Sequence, residues 1–485
     1  MKVVNILRSA GALARTRWWN HNRGDDVLRG LPHWWRKKSI AGTARCATLV
    51  GLSVLVAALC LQPSLAVAVK DVPYGEDGSP PDNEAQADTD AFNDAILEGN
   101  VEDLGVWYHV KFCGWYRLSF ADDMASLPTG SAPYDYWTTN NDQRARGAKI
   151  KLIRNSDRAV VHEAFTPWTG NDIGCTPSLT LNSAESYEVR IYSTASVNDN
   201  TITVKKDDVN KAVYYSVARS AFTPTASSTI DVYTGTHAAW NIAGAAGWAM
   251  SRRNGGLNGE TFVLYDQACP GGTSNCLSGG NNYIVTNTSK FVIVHELGHT
   301  LVYKANGGVS ANSSTGLTNS TCPNVGGTHD FNSLEWQSGA AHEGFASYYA
   351  AVAWNKTQES NCTYVLHHWN DWNLDGVDND TRVFSCEGAV PGESDAEDYA
   401  GQFCGAASNQ GSQLDWMRFF WDLDNKEGLN TTDIVDLWVA SSPDTWTATG
   451  VGSGAGFPSF ELEAAADRLG FGTAWNNQES NGSLR

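Results

Sequence analysis

The sequence predicts an α+β protein, in which an N-terminal antiparallel β-sandwich is followed by a mainly α-helical domain. Between residues 106 and 204, short runs alternate apolar with polar residues and are separated by turn-forming clusters such as 155–157. This alternation is typical of half-buried strands. From about residue 236 onward, segments with helical spacing alternate with short strands. We therefore place the sandwich, an accessory domain, at 106–235 and the helical domain at 236–485.

The individual segments follow from the same periodicities. Strands are predicted in the sandwich at 106–110, 148–153, 187–192 and 201–204, and in the second domain at 261–265 and 282–286. Helices are predicted at 237–252, 291–305, 342–354 and 413–423. The apolar face of the last helix consists of aromatic and aliphatic residues at helical spacing, which predicts a core position for Trp416, Phe419, Phe420 and Leu423.

The first 68 residues are expected to be a signal peptide. A basic stretch is followed by an apolar run at 47–61 and then by the small-x-small sequence Ala66-Val67-Ala68. The apolar run is shorter than the roughly 20 residues that a membrane span needs, so a retained anchor is the less favoured alternative. Residues 69–105 are rich in Asp, Glu, Pro and Gly, and we interpret them as a linker or propeptide remnant.

Charge and cysteine content favour a secreted protein. The leader holds ten of the 34 basic and two of the 53 acidic residues, so the remaining chain has a net charge of −27. So acidic a chain is not expected to bind nucleic acid, or to stay on a membrane once the leader is cleaved. Extracellular, periplasmic and cell-surface locations all fit this prediction.

Eight of the ten cysteines follow the leader, and an even number in an exported chain predicts up to four disulfides. Cys269 and Cys276 flank a short turn and are the first expected pair. Cys113 with Cys175 is the expected pair within the sandwich. Closely spaced Cys-x-x-Cys pairs, which a zinc ribbon requires, do not occur in the sequence.

The sequence His295-Glu296-Leu297-Gly298-His299 lies within the predicted helix 291–305. Residues four apart on a helix project from the same face, so His295 and His299 can chelate one metal ion. Glu296 lies beside them, where a carboxylate can take a proton from a metal-bound water. Gly298 leaves room for another element to approach this helix closely. The alternative to a metal site is an ordinary core helix in which both histidines make hydrogen bonds and bind no metal.

The third ligand is indicated by a second motif. In the extended motif HExxHxxGxxH the third ligand is a later histidine, but Val302 and Ala305 occupy its glycine and histidine positions, which excludes that version. The segment 341–348, Ala-His-Glu-Gly-Phe-Ala-Ser-Tyr, closely resembles the E-G-F-A-S-Y helix of the gluzincin metallopeptidases, particularly their aminopeptidase branch. The resemblance implies a zincin-like catalytic domain, a Zn²⁺ cofactor and Glu343 as the third ligand. In the family about twenty residues separate the second histidine from this glutamate, whereas 43 separate His299 from Glu343 here.

Other residues near the motifs have more open roles. His342 points about 100 degrees away from Glu343 on a helix, so it is not expected to be a ligand. Ser347, one turn after Glu343, is either an orienting partner of a histidine ligand or an ordinary helix residue. Gluzincins stabilise the oxyanion with a His or Tyr, and His367, His368 and Tyr399 are three candidates between which the sequence does not decide.

A calcium loop is the second metal prediction. Asp371, Asn373 and Asp375 place oxygen ligands at alternating positions and are followed by Gly376, which resembles the first half of a Ca²⁺ loop. Arg382 stands where an EF-hand has its glutamate, so the segment is more similar to the DxDxDG loops of extracellular proteins. A solvated acidic turn is the equal alternative.

Together these features predict a secreted zinc metallopeptidase that acts on a protein or peptide, with Glu296 as general base. The sequence lacks a G-x-M-E-N exopeptidase signature upstream of His295, so an endopeptidase is preferred and an aminopeptidase remains open. The alternative from another class is a secreted binding or adhesion protein with a structural zinc site. A structural site does not need a carboxylate next to its first histidine, and Glu296 therefore favours the enzyme.

Overall fold

A computed structural model of the chain describes residues 105–120, 143–272, 275–307, 335–355, 362–367, 381–386, 410–441 and 459–480. All of them belong to one compact unit, Asp71–Arg485. The predicted leader, almost all of the predicted linker and the predicted calcium loop lie outside the described residues. The chain combines sheets and helices, which confirms the α+β class.

The strands of the N-terminal half are β1 (Trp107–Tyr116), β2 (Gln143–Arg144), β3 (Ala148–Arg154), β4 (Val160–Phe165), β5 (Leu179–Asn182), β6 (Tyr187–Val197), β7 (Asn200–Lys205), β8 (Tyr215–Phe222) and β9 (Ser228–Tyr233). One sheet is built around β1, which pairs with β2, β5 and β9. In the other, β7, β6, β3 and β4 are neighbours in that order, and β8 pairs with β6.

The two sheets pack face to face. Phe112 of β1 meets Phe222 of β8 edge-on, with 5.4 Å between the ring centroids. Gly114 of β1 lies so close to the other sheet that a Cβ there would be 3.2 Å from Ile150 and 3.3 Å from Ile191. Along β1 the buried Phe112 and Gly114 are flanked by the half-buried Lys111 and Trp115, as the apolar-polar pattern predicts, whereas Cys113 between them is buried as well.

The elements after β9 are α1 (Ala238–Arg252), β10 (Thr261–Tyr265), β11 (Cys276–Ser278), β12 (Asn281–Tyr283), α2 (Lys290–Ala305), β13 (Glu335–Trp336), α3 (Gln337–Trp354), β14 (Thr363–His367), β15 (Thr381–Ser385), β16 (Gln410–Gly411), α4 (Gln413–Asn425), α5 (Thr431–Ala440), α6 (Ser459–Leu469) and α7 (Gly472–Ser480). Two short ribbons, β13 with β16 and β14 with β15, connect the helices.

The second sheet continues past residue 235, the predicted boundary between the domains. β10 pairs in parallel with β7, β12 pairs in parallel with β10, and β11 completes this edge. β9 likewise runs parallel to β1. The prediction of a purely antiparallel sandwich is therefore wrong for these pairs. Alternation identifies a strand but not its direction, and parallel neighbours arise here because long connections, one of which contains α1, return the chain in the same direction.

Local sequence explains where several elements begin and end. Ser289 caps α2 by accepting a hydrogen bond from the Val292 amide at 3.2 Å, so this helix begins one residue before the prediction. Strand β12 stops at Tyr283, short of the predicted residue 286, because the amides of Val285 and Thr286 donate to the Asn275 side chain. Helix α3 begins at Gln337, five residues before the prediction. A local pattern that contains Gly339 gives no helix signal there, and tertiary packing overrides it.

The helical half has an aromatic core. Trp416, Phe419, Phe420 and Leu423 of α4 are all fully buried, which confirms the predicted apolar face. Trp475 of α7 packs edge-on against Phe419, with 4.6 Å between the ring centroids. This core fixes the helices on which the site described below is built.

Three disulfides join the described residues. The predicted pairs Cys113–Cys175 and Cys269–Cys276 are both present, and a third bond closes the β14–β15 ribbon at its base, Cys362–Cys386. Cys322 and Cys404 lie outside the described residues. Among the helices that the structure describes, none combines the length and the apolar character that a membrane crossing needs.

Candidate metal centre

Helix α2 carries the two histidines of the motif on one buried face. The Nε2 atoms of His295 and His299 are 3.1 Å apart, and the two rings are nearly perpendicular, at 88°. The four-residue spacing brings the side chains together because one turn of an α-helix takes 3.6 residues. Both Nε2 atoms therefore point at the same small volume.

Glu343 of α3 supplies the third atom of the group. Its Oε2 lies 3.0 Å from Nε2 of His295 and 3.2 Å from Nε2 of His299. The three atoms thus form a nearly equilateral triangle, and the residues that carry them are 9%, 8% and 7% exposed for His295, His299 and Glu343. Two imidazole nitrogens and one carboxylate oxygen can together hold a metal ion.

The size of this triangle provides a test of fit. A tetrahedral ion with ligands at 2.0–2.1 Å requires about 3.3 Å between neighbouring ligand atoms. The observed edges of 3.0, 3.1 and 3.2 Å are shorter by only a few tenths of an ångström. A small tetrahedral cation therefore fits between His295, His299 and Glu343 with little movement of the side chains.

Close approach of α2 and α3 brings the third ligand within reach. A Cβ on Gly298 would lie 2.8 Å from the Cα of Ala346, so only glycine allows the two backbones to meet at this point. The sequence predicted that Gly298 admits a close neighbour, and the structure identifies this neighbour as α3. Because Gly298 lies between the two histidines in the sequence, this contact determines the position along α2 at which α3 crosses the motif.

Helix α4 also packs closely against α3, at Gly344. Gly344 faces it, and a Cβ there would lie 2.9 Å from the amide nitrogen of Met417 and closer still to the Cβ of Trp416. At the first residue of α4, Nε2 of Gln413 lies 2.6 Å from Oγ of Ser347. The predicted orienting role of Ser347 finds support in the site, because its Oγ lies 3.0 Å from Nδ1 of His295.

Glu296 follows His295 on the buried helix α2 and is itself 7% exposed. Its carboxylate is not one of the three atoms of the metal group, which are supplied by His295, His299 and Glu343. Of these two buried glutamates, Glu343 supplies an oxygen of the triangle, and Glu296 directly follows His295 on the helix that carries both histidines.

His342 lies away from the metal group, as its position on the helix predicts. Its ring packs edge-on against Trp438 of α5, with 4.9 Å between centroids. Burial lowers the pKa of His342 to about 3, nearby His299 acts in the same direction, and Glu343 opposes the shift. The ring is therefore neutral near pH 7.

The remaining predicted site residues are not brought to this group by the described structure. Asp371, Asn373 and Asp375 of the predicted calcium site lie outside the described residues, as do the oxyanion candidates His368 and Tyr399. The third candidate, His367, is the last residue of β14. The oxyanion role and the calcium site stay predictions.

Gln413 is a contact residue of the site that the sequence did not predict. It lies 66 residues from Ser347, in a helix that was recognised only for its aromatic face. The one local signal nearby is the capping box of Ser412 and Asp415, which marks the start of α4 but does not indicate which element that start contacts.

Comparison with known proteins gives no family assignment, because the chain matches no protein-family model and no curated protein. The function proposed below therefore rests on the arrangement of His295, His299 and Glu343 and on the position of Glu296 directly after His295.

Proposed function

We propose that the protein is a secreted zinc-dependent metallopeptidase that hydrolyses peptide bonds, with Glu296 as its general base. The observation that carries the proposal is the triangle of His295, His299 and Glu343 on two buried helices, with the buried Glu296 directly after His295 in the sequence. Catalytic zinc sites use three protein ligands and keep one position for water or substrate. Structural zinc sites are closed by four protein ligands, commonly cysteines.

Zinc is the metal we propose for this donor set, since imidazole nitrogen and carboxylate oxygen at tetrahedral spacing suit it. When bound, the ion would supply a Lewis acid for the scissile carbonyl and a water of lowered pKa. His295, His299 and Glu343 would hold it. The remaining chemistry falls to the other side chains of the site.

Glu296 performs the proton transfers in this proposal. Its carboxylate accepts the proton that water loses on attacking the carbonyl carbon, and then delivers that proton to the nitrogen of the leaving amine. A glutamate that accepts and returns a proton must lie within hydrogen-bond reach of both positions. Its place next to His295 in the buried motif is compatible with that requirement.

Secretion is part of the proposal because it agrees with the three disulfides among the described residues. The substrate we propose is a protein or peptide. Within this class we favour an endopeptidase, since the sequence lacks the exopeptidase signature noted above.

The test compares the purified wild-type protein with its Glu296→Gln variant. Zinc content and the hydrolysis of casein are measured on the same samples. We expect about one zinc in each protein, and a loss of roughly 10²- to 10⁴-fold in hydrolysis for the variant, because general acid–base catalysis contributes about this much.

Glu260→Gln is the matched control. This glutamate pairs with Lys304 in the last turn of α2, at 3.0 Å, and supplies none of the three ligand atoms. We expect it to retain both zinc and hydrolysis. If the wild-type protein binds zinc but cuts no protein or peptide, the proposal fails and a structural zinc site in a binding protein replaces it.

A further inference from the structure

A chain of buried hydrogen bonds connects helix α4 to the metal group. The Nε2 of Gln413 lies 2.6 Å from the Oγ of Ser347, which in turn lies 3.0 Å from Nδ1 of His295. Gln413 is 5% exposed and Ser347 is fully buried, so water does not compete for these groups as it does at a surface. Three helices thus contribute one residue each to a single chain.

The backbone of Glu343 determines which way the amide of Gln413 points. Nε2 of Gln413 also lies 3.5 Å from the carbonyl oxygen of Glu343, and a carbonyl oxygen only accepts hydrogen bonds. The atom facing both Ser347 and this carbonyl is therefore the NH₂ nitrogen, and Oγ of Ser347 accepts one of its hydrogens. One side chain of α4 in this way contacts two residues of α3 that belong to the site.

The direction of the second hydrogen bond, between His295 and Ser347, depends on which imidazole nitrogen carries the proton. A neutral imidazole that binds a metal through Nε2 carries its proton on Nδ1. Nδ1–H of His295 then donates to Oγ of Ser347, which has two lone pairs and accepts from both sides.

We propose that Gln413 is a positioning residue for the metal ligand His295: it fixes the Oγ of Ser347, and Ser347 in turn fixes the imidazole ring. The inference rests on the proposed metal site. A serine in a helix has more than one accessible χ1 rotamer, and a second partner on Oγ selects one of them. With Oγ held, Nε2 of His295 is aimed at Glu343 and His299 before the ion arrives.

The test measures the dissociation constant for Zn²⁺ in metal-free protein, by competition with a chromogenic chelator. Gln413→Met keeps the length of the side chain and removes its hydrogen bonds. Partners that orient a metal-ligating histidine typically affect metal affinity by 10- to 100-fold. We expect a weakening in this range for Ser347→Ala, and about three- to tenfold for Gln413→Met, which acts one bond further away.

A double variant separates positioning from a general loss of packing. If Gln413 acts through Ser347, adding Gln413→Met to Ser347→Ala weakens Zn²⁺ binding no further. The matched control is Gln478→Met, another buried glutamine, which donates to Glu427 at 2.8 Å. We expect that variant to lose stability and to bind Zn²⁺ as the wild-type protein does.

The outcomes are distinct. Wild-type affinity in Gln413→Met, or additive losses in the double variant, would overturn the positioning role and leave the proposed function standing. A wild-type protein that binds no Zn²⁺ would overturn both. If Gln413→Met does not fold, Gln413→Asn gives the same reading, because its amide is one methylene too short to reach Oγ of Ser347.

Discussion

Replacing Gly344 by alanine tests how closely α3 and α4 pack at the site. Glycine to alanine in a helix normally stabilises it by about 1 kcal/mol. Here the new Cβ would lie 2.9 Å from the amide nitrogen of Met417 and closer still to the Cβ of Trp416. Ordinary contacts between heavy atoms are about 3.5–4.0 Å, so α4 must move away by more than about 1 Å.

The expected cost of this movement exceeds the gain from helix propensity. Overpacking of a core costs about 1–3 kcal/mol, and here the obstacles are backbone and Cβ atoms that cannot rotate away. The same shift would stretch the 2.6 Å bond from Gln413 to Ser347 beyond good geometry, which costs about 1 kcal/mol more. The net expectation for Gly344→Ala is a destabilisation of about 1–3 kcal/mol.

Unfolding by urea in metal-free buffer measures this difference directly. Gly247→Ala is the matched control, because Gly247 also lies within a helix, α1, and the nearest atom to its new Cβ would be the carbonyl oxygen of Arg146 at 3.9 Å. We expect that control to gain up to about 1 kcal/mol. If Gly344→Ala is as stable as the wild type, α3 and α4 are not as close as the structure places them, and the steric argument is refuted.

Two further predictions concern the β-sandwich. Replacing both Cys113 and Cys175 by serine should lower the free energy of unfolding by about 4 kcal/mol, because their bond closes a loop with a sequence separation of 62; a change below about 1 kcal/mol in urea unfolding would contradict this. Burial raises the pKa of Glu188, but hydrogen bonds from Arg158 and Arg190, and their charges, outweigh it and hold this pKa below 4.5. The stabilisation from these ion pairs is therefore complete above pH 4.5 and is lost as the pH falls through the lower folded pKa. Glu188→Gln should cost about 2 kcal/mol at pH 7 and progressively less below pH 4, so a cost that does not vary with pH would refute the assignment.

Much of the site was predictable because its signals are local. The spacing of His295 and His299 places both rings on one side of a helix wherever that helix lies in the fold. The absence of a side chain at Gly298 likewise predicted a close approach by another element, whichever element that is. The role of Glu343 needed more than spacing, since 43 residues separate it from His299 and only the resemblance of its surrounding motif implied that it is a ligand.

Sheet topology and the outer contacts of the site were not predictable in this way. The strand β10 was recognised at its observed bounds, Thr261–Tyr265, yet its parallel pairing with β7 across residue 235 was missed. The contact of Gln413 with Ser347 was missed as well. Neither the parallel pairing nor this contact produces a recognisable pattern in the neighbouring residues of the sequence.

By itself, the sequence determined the class of the fold, four of the seven helices and six of the sixteen strands that the structure describes, two of the disulfides and the paired histidines with Glu296. These features depend on backbone periodicity and on residues a few positions apart. Only the tertiary structure decided that Glu343 completes a triangle of ligand atoms about 3 Å on a side, which neighbour α3 meets at Gly298, and that Gln413 supports His295 through Ser347. Such contacts join distant parts of the chain, and their geometry is set by how whole helices pack, which no local pattern encodes.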